Sequence, residues 1–318
     1  MSDVFTDALN APAGRLVEVL LKKLPEGTAG KKLSTEFRQR LDRVVDAPGR
    51  PGKLARVRLA PEVSLLFDRA PDWTKQKILP LFAWSSADAS DVWSARKYSS
   101  YIGSPELFGL TKQPFLEIFG RNDVSTEDLR TYAEWLTAIL IANQSHQVGY
   151  PLTSVEARAA LRRAGVNALS SVGHRLATEM RGGTPEEKAA RWRTVVGPVF
   201  RAIWPLDLEL QTSATTYKLA QILIETGEAF PEAADTIIPF IRPDDARANS
   251  TAFSIAEAPE ELYASSPNKM LDVLAAVVGD APPGSVYALG KALDRIRVRD
   301  PVLADTRKFQ KLLNSAAP

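Results

Sequence analysis

The chain contains no cysteine, which excludes disulfides, thiolate metal ligands and cysteine nucleophiles. A cysteine-free composition fits a reducing compartment. Only two histidines are present, His146 and His174, and neither belongs to a His-Glu-x-x-His pattern. A zinc site built on imidazole ligands is therefore not indicated, and we expect no metal and no cofactor.

Long apolar runs are also missing, because no stretch approaches the ~20 apolar residues that a membrane helix needs. Residues 1–5 lack the basic start and apolar core of a signal peptide. We therefore expect a soluble cytoplasmic protein with no membrane partner. The net charge is only +2 over 318 residues, and 45% of the residues are hydrophobic, which is the composition of a folded chain and not of a disordered one.

Catalytic motifs are incomplete wherever they begin. The segment Gly27–Lys32 resembles a phosphate-binding loop, but Pro25 stands where that motif needs glycine and Lys32 where it needs Ser or Thr. The stretch Leu169–His174 lacks the first glycine of a hydrolase nucleophile elbow. We therefore assign no catalytic residue and expect a non-enzymatic protein.

Helix starts are the clearest positive signal. A residue that can cap a helix is followed directly by proline at Ser104-Pro105, Thr184-Pro185, Ser266-Pro267 and Asp300-Pro301. The cap oxygen accepts from a free N–H of the first turn, and proline at the first helical position gives up no helical hydrogen bond. Thr153 with Glu156, and Thr184 with Glu187, have the spacing of capping boxes.

Apolar residues recur at helical spacing between these starts. One example is the series Leu129, Tyr132, Ala133, Leu136, Ile139 and Leu140. Such spacing places the apolar side chains on one helix face. The patterns predict about fifteen helices, including 126–146, 153–180 and 207–227, and runs that alternate as strands do are hard to find.

The expected fold class is therefore all-α. Consecutive antiparallel helix pairs that stack on one another predict an irregular HEAT-like helical-repeat array, an α-solenoid. A compact multi-helix domain is the alternative. We expect an N-terminal helical region, 1–149, with a basic loop at 47–53 that two prolines and two glycines keep irregular. A C-terminal helical region would follow at 150–318, unless the two form one continuous array.

Positive charge concentrates between residues 31 and 58. The basic residues there are Lys31, Lys32, Arg38, Arg40, Arg43, Arg50, Lys53, Arg56 and Arg58, against Glu36, Asp42 and Asp46. Such a cluster can neutralise phosphates or dock an acidic protein surface. It can equally be a solvated helix face that acids elsewhere in the fold balance. Apart from Phe37, no aromatic residue lies within the cluster to stack on bases.

Aromatic residues concentrate instead between 67 and 101, where Trp73, Trp84 and Trp93 stand out. At helical spacing they are typical of core packing. If exposed, tryptophan marks a protein interface. The candidate interaction surface is therefore Arg50, Lys53, Arg56, Arg58, Trp73, Trp84 and Trp93.

Three stretches carry a resemblance to a known family: Leu9-Asn10-Ala11-Pro12-Ala13-Gly14-Arg15-Leu16, Leu79-Pro80-Leu81-Phe82-Ala83-Trp84-Ser85, and Ile203-Trp204-Pro205 through Gly227-Glu228-Ala229-Phe230-Pro231. With them, most of the chain resembles the C-terminal helical region attached to sirtuin-type effectors in bacterial anti-phage defence proteins. The resemblance implies a helical sensor or scaffold whose enzymatic effector lies elsewhere.

The expected function is a non-enzymatic helical scaffold or sensor that mediates protein–protein interaction, and the resemblance implies a place in bacterial antiviral defence. Its partner would be another protein, an effector subunit or a second copy of the chain in a homo-oligomer. The alternative is a nucleic-acid-binding helical module that uses the basic segment 31–58.

Overall fold

The structure, a computed structural model, describes residues 4–24, 33–99, 101–243 and 248–317. Throughout these ranges the backbone forms α-helices joined by short turns, many of them 3-10, and no strand is present. A single parallel bridge joins Val286 to Ala316. The all-α prediction is confirmed. None of the described helices is both long and apolar enough to cross a bilayer.

The chain divides into two compact units. Unit 1 is Met1–Trp135 with Val148–Leu152, and unit 2 is Leu136–Gln147 with Thr153–Pro318. The chain passes from one unit to the other inside a helix, between Trp135 and Leu136, and again on both sides of Val148–Leu152 in the loop near residue 149. The helices that begin in unit 1 are α1 (Val4–Asn10), α2 (Pro12–Lys22), α3 (Thr35–Val45), α4 (Gly49–Leu59), α5 (Val63–Arg69), α6 (Pro71–Lys77), α7 (Ala89–Arg96), α8 (Pro105–Glu117) and α9 (Thr126–His146).

Helix α4 lies at the centre of unit 1. It packs against α1, α2, α3 and α7, and its side chains Leu54, Val57 and Leu59 are buried. Helices α1 and α2 approach closely at Gly14, where a Cβ would lie 1.6 Å from the carbonyl oxygen of Ala8. Burial of this apolar surface holds the short helices together, since isolated helices of this length are marginal in water.

The prediction of a basic loop at 47–53 is wrong for most of these residues, because α4 begins at Gly49. Pro51 stands in the first turn of α4, where its missing N–H costs no helical hydrogen bond. Gly52 packs directly over the carbonyl of Ala47, 1.7 Å from where a Cβ would stand. The prolines and glycines thus start a helix at a tight corner instead of preventing one.

Unit 2 contains the remaining helices after the last part of α9. They are α10 (Ser154–Ala164), α11 (Val166–Met180), α12 (Pro185–Arg191), α13 (Gly197–Ile203), α14 (Ser213–Leu223), α15 (Phe230–Ile237), α16 (Ala248–Ala256), α17 (Glu260–Ser265), α18 (Pro267–Val278), α19 (Leu289–Arg299) and α20 (Arg307–Ser315). Both predicted capping boxes are present, at the starts of α10 and α12.

The larger helices of unit 2 contact one another in two series. One series runs α11, α14, α16, α19, and the other α10, α13, α15, α18, α20. Side-chain ion pairs link elements of unit 2 through residues 34–39 positions apart, as in Lys188–Glu225, Arg193–Glu232 and Lys269–Asp235. Stacked helix pairs of repeat proteins produce such a pattern, although the HEAT-like array itself stays a prediction.

Candidate interaction surfaces

Two of the predicted basic residues are engaged between helices of unit 1. The Nε of Arg56 lies 2.5 Å from Oδ2 of Asp88, and its Nη1 donates to the carbonyls of Val45 and Ala47. One turn earlier on α4, Lys53 pairs with Asp91 of α7. The side chain of Arg56 is only 17% exposed. These cations therefore join α4 to α7 and are not offered outward as a free surface.

The other two predicted basic residues also face carboxylates. Arg50 pairs with Asp7 at 2.6 Å while remaining largely exposed, and Arg58 pairs with Glu62 at 3.2 Å. Arg38 and Arg40 have carboxylate neighbours as well, whereas the exposed Arg43 has none within 4.0 Å among the residues that the structure describes. Lys31 and Lys32 lie outside the described residues. Most of the positive charge seen between 33 and 58 is thus balanced inside unit 1.

Trp73 and Trp93 are not part of an interaction surface, contrary to the prediction, because they are 3% and 4% exposed. Each buried indole N–H has an acceptor: Oδ1 of Asp42 at 2.8 Å for Trp73, and the carbonyl of Phe82 at 2.9 Å for Trp93. A tryptophan whose N–H is satisfied can bury its whole ring at no polar cost. Both residues belong to the core of unit 1.

Trp84 is half-buried and already covered. Its N–H donates to the carbonyl of Pro114 at 2.8 Å, and the guanidinium of Arg121 lies 4.0 Å from the ring centroid. Arg121 is held in turn by Asp123 at 2.7 Å. The structure therefore does not bring the seven predicted residues together as one surface.

Among the described residues of unit 1, Arg96 is the most buried cation, at 4% exposure. Its guanidinium donates to three carbonyls, those of Pro61, Tyr101 and Ile102, and to the hydroxyl of Ser64. Burial lowers the pKa of this guanidinium to about 10. A cavity of about 20 Å³ beside it has room for one water molecule. Arg96 thus fixes the turn at 101–102 against α5, which is a structural role.

A larger opening lies in unit 2, between α10 and α13. This groove, of about 310 Å³, is lined by Ser154, Val155, Arg158, Ala159, Arg162 and Ala202. The capping box fixes where α10 begins, and Ser154, Arg158 and Arg162 follow at intervals of four, so they share one helix face. The small side chains Ala159 and Ala202 leave the groove open.

The two arginines of the groove differ in their hydrogen-bond partners. Arg162 pairs with Asp207 at 2.5 Å. Arg158 donates from Nη2 to the carbonyl of Arg201 at 2.5 Å, but its Nε is buried and has no hydrogen-bond partner. A buried donor without an acceptor costs free energy. The groove is lined by two guanidinium groups, of which Arg162 is paired with a carboxylate and Arg158 with a backbone carbonyl.

Highly exposed apolar side chains lie in this groove and beside it. Val155 is 76% exposed, Leu206 65% and Leu208 78%. The two leucines flank Asp207, which Arg162 holds at the edge of the groove. Sequence reasoning missed this site because it assigned 207–227 to one helix. The available signal was the period-two series Leu-Asp-Leu-Glu-Leu at 206–210, which is not the periodicity of a helix.

The histidines do not form a site with other ligands. His146 ends α9, and His174 lies within α11 with its Nδ1 unpartnered. In the ranges that the structure covers, no three His, Asp or Glu side chains are grouped as a metal ion would need.

Comparison with known proteins gives one distant relative and no family. No family model matches the chain, and no solved structure matches it. The chain is similar to "Uncharacterized protein y4cA" of Sinorhizobium fredii (strain NBRC 101917 / NGR234), with 22% identity over 316 residues. The match covers 98% of this chain and 26% of the relative, so the chain spans about a quarter of the length of the curated relative that it matches.

Proposed function

We propose that the chain is a helical interaction module, and that a protein partner docks on the groove between α10 and α13. One observation carries this proposal: highly exposed apolar side chains lie in and beside a groove that two arginines line. Clustered exposed apolar groups mark interaction sites on folded proteins. Arginine is enriched at the centres of protein interfaces.

The alternative, a nucleic-acid-binding module that uses 31–58, has less support. Arg56 and Arg58 are mostly buried, and Arg50, Lys53, Arg56 and Arg58 all face carboxylates. A phosphate would have to compete with each of those carboxylates. Among the described residues, the groove residue Arg158 donates to a backbone carbonyl and has no carboxylate competitor.

The stacking within unit 2 supports a scaffold role. Helices α10 and α13 contact each other, α10 also contacts α11, and α13 contacts α15, so packing within unit 2 supports both walls of the groove. A preformed surface loses little conformational entropy on binding. In helical-repeat proteins, extended surfaces of this kind bind other proteins.

An effector-linked role in antiviral defence is the wider part of the proposal. Its support is the resemblance to the helical region of sirtuin-type defence effectors. In addition, the relative from Sinorhizobium fredii is about four times as long as the matched region, so the homologous region there is joined to other segments. The chain would then be the part that senses or positions, and an effector segment or subunit would act.

Affinity capture with matched variants tests the proposal. The tagged chain and the double variant Leu206→Ser/Leu208→Ser are used in parallel in lysate of the organism that encodes the chain. Because both leucines are exposed, the variant should fold. We expect bound protein to fall about ten-fold or more when the groove loses its apolar rim.

The control is Val298→Ser/Val302→Ser, which removes two valines of 77% and 75% exposure elsewhere in unit 2. This control should capture as much as the wild type. The proposal is contradicted if the wild type enriches no protein, or if the groove variant and the control capture equally well.

A further inference from the structure

We infer that the occupant of the groove is a second copy of this chain, whose segment 206–210 docks between α10 and α13. The inference rests on the proposed function of the same groove and names its partner. The resulting assembly is a two-fold dimer in which each copy offers one groove and one segment.

The groove sets the chemistry of its occupant. Arg158 lines the groove, and among the described residues its guanidinium donates to a backbone carbonyl and to no carboxylate. A carboxylate is the strongest acceptor that a protein offers to a guanidinium. Val155 and Ala159 line the same groove and favour apolar side chains beside that carboxylate. The occupant should therefore carry an acidic residue with apolar neighbours.

The chain itself carries such a segment, Leu-Asp-Leu-Glu-Leu at 206–210. Leu206 and Leu208 are highly exposed, so they do not fill the groove of their own copy. Glu209 is exposed as well, and its carboxylate can serve as the acceptor. Asp207 is already paired with Arg162 of its own chain, which leaves Glu209 for Arg158 of the second copy.

The position of the segment makes a two-fold arrangement natural. The Asp207–Arg162 pair at 2.5 Å fixes the segment at the edge of its own groove, so one patch holds both complementary parts. When such a patch faces its own copy across a two-fold axis, each part meets the other twice. The dimer would bury the three exposed side chains Val155, Leu206 and Leu208 and pair two arginines with two glutamates.

Light scattering on the purified chain measures the assembly directly. The monomer has a mass of 34.8 kDa, and we expect a mass that approaches twice this value as concentration rises. Val155→Glu, which places a carboxylate on the apolar rim, should raise the dissociation constant about ten-fold or more. Val298→Glu at 77% exposure is the matched control for Val155 at 76% and should leave the dimer unchanged.

Charge reversal identifies the pair that forms. Arg158→Glu places two glutamates opposite each other in its homodimer, and Glu209→Arg places two arginines opposite each other. Each variant alone should be monomeric at concentrations where the wild type is a dimer. An equimolar mixture of the two variants restores both opposite-charge pairs, so we expect a one-to-one heterodimer.

A chain that is monomeric at every concentration overturns the inference, as does a dimer that none of Val155→Glu, Arg158→Glu and Glu209→Arg weakens. If the chain is monomeric but Leu206→Ser/Leu208→Ser still loses a captured protein, the proposed function stands and another protein occupies the groove. If capture does not depend on the groove either, both proposals fail. Circular dichroism melts of each variant show that a lost dimer is not a lost fold.

Discussion

The guanidinium of Arg56 and the carboxylate of Asp88 form a half-buried ion pair that joins α4 to the start of α7, with 2.5 Å between Nε and Oδ2. The two residues are 32 positions apart, so the sequence around Arg56 does not indicate which carboxylate it pairs with. At this position, the basic run between residues 31 and 58 therefore contributes an ion pair inside unit 1 and not a charge on its outer surface.

Removing one member of this pair should destabilise unit 1. We expect Arg56→Ala to lower the free energy of unfolding by about 2–3 kcal/mol, because Asp88 loses its counter-charge and the Val45 and Ala47 carbonyls lose a donor. Chemical denaturation measures this change.

Arg50→Ala serves as the control on the same helix. Arg50 also pairs with a carboxylate, but its side chain is 73% exposed, so its loss should change stability by less than about 0.5 kcal/mol. Equal effects of the two substitutions would show that Arg56 is an ordinary surface cation.

A close backbone approach in unit 2 makes a second prediction. Gly227 has φ +55°, and a Cβ there would lie 2.3 Å from the carbonyl oxygen of Pro185. Gly227→Ala should cost about 3 kcal/mol of stability, because the left-handed conformation and the clash with backbone add together. Thermal unfolding measures the loss.

Gly182→Ala separates the two causes. Gly182 also has a positive φ, +74°, but nothing lies within 4 Å of its Cβ position. Its substitution should cost only the conformational strain, about 1 kcal/mol. If both variants melt alike, the contact between Gly227 and Pro185 is not tight.

The pH dependence of stability should reflect Glu260. Hydrogen bonds from Arg295 and Arg299 hold the pKa of the Glu260 carboxyl below its usual value of 4.5. A carboxyl with a lowered pKa stabilises the folded state above its unfolded pKa and loses that contribution as pH falls through the folded pKa. The melting temperature of Glu260→Gln should therefore be lower than that of the wild type at neutral pH, and the difference should vanish in strong acid.

Glu261→Gln is the neighbouring control, since Glu261 is exposed and takes part in neither arginine contact. It should follow the wild-type melting curve from neutral pH to strong acid. A difference for Glu260→Gln that persists unchanged into strong acid would contradict the role given to the two arginines.

Local signals predicted the helices well where capping and periodicity agreed. Helix α9 has the predicted ends, Thr126 and His146. The predicted helix 153–180 is instead two helices, because Gly165 has φ +74° and ψ −163°, a conformation open to glycine alone. An isolated glycine within an apolar pattern is also tolerated in helices, so the sequence could not distinguish the two outcomes.

The candidate site could not be predicted from local sequence patterns, because the burial of a side chain depends on partners that are distant in the sequence. Trp73 can be buried because Asp42 accepts a hydrogen bond from its indole N–H. Trp93 can be buried because the carbonyl of Phe82 accepts a hydrogen bond from its indole N–H. The spacing of apolar residues around Trp73 does not reveal a hydrogen-bond acceptor 31 residues away in the sequence. The groove, likewise, arises only when Arg158 of α10 meets Ala202 of α13, and neither residue is notable in the sequence.

Cross-linking from inside the groove tests the docking proposal most directly. The chain has no cysteine, so Val155→Cys accepts one thiol-directed benzophenone label, and Val298→Cys provides a label of matched exposure outside the groove. After illumination in lysate of the source organism, we expect a heavier adduct from position 155 and none from position 298. No adduct from position 155, or the same adducts from both positions, would contradict docking at the α10–α13 groove.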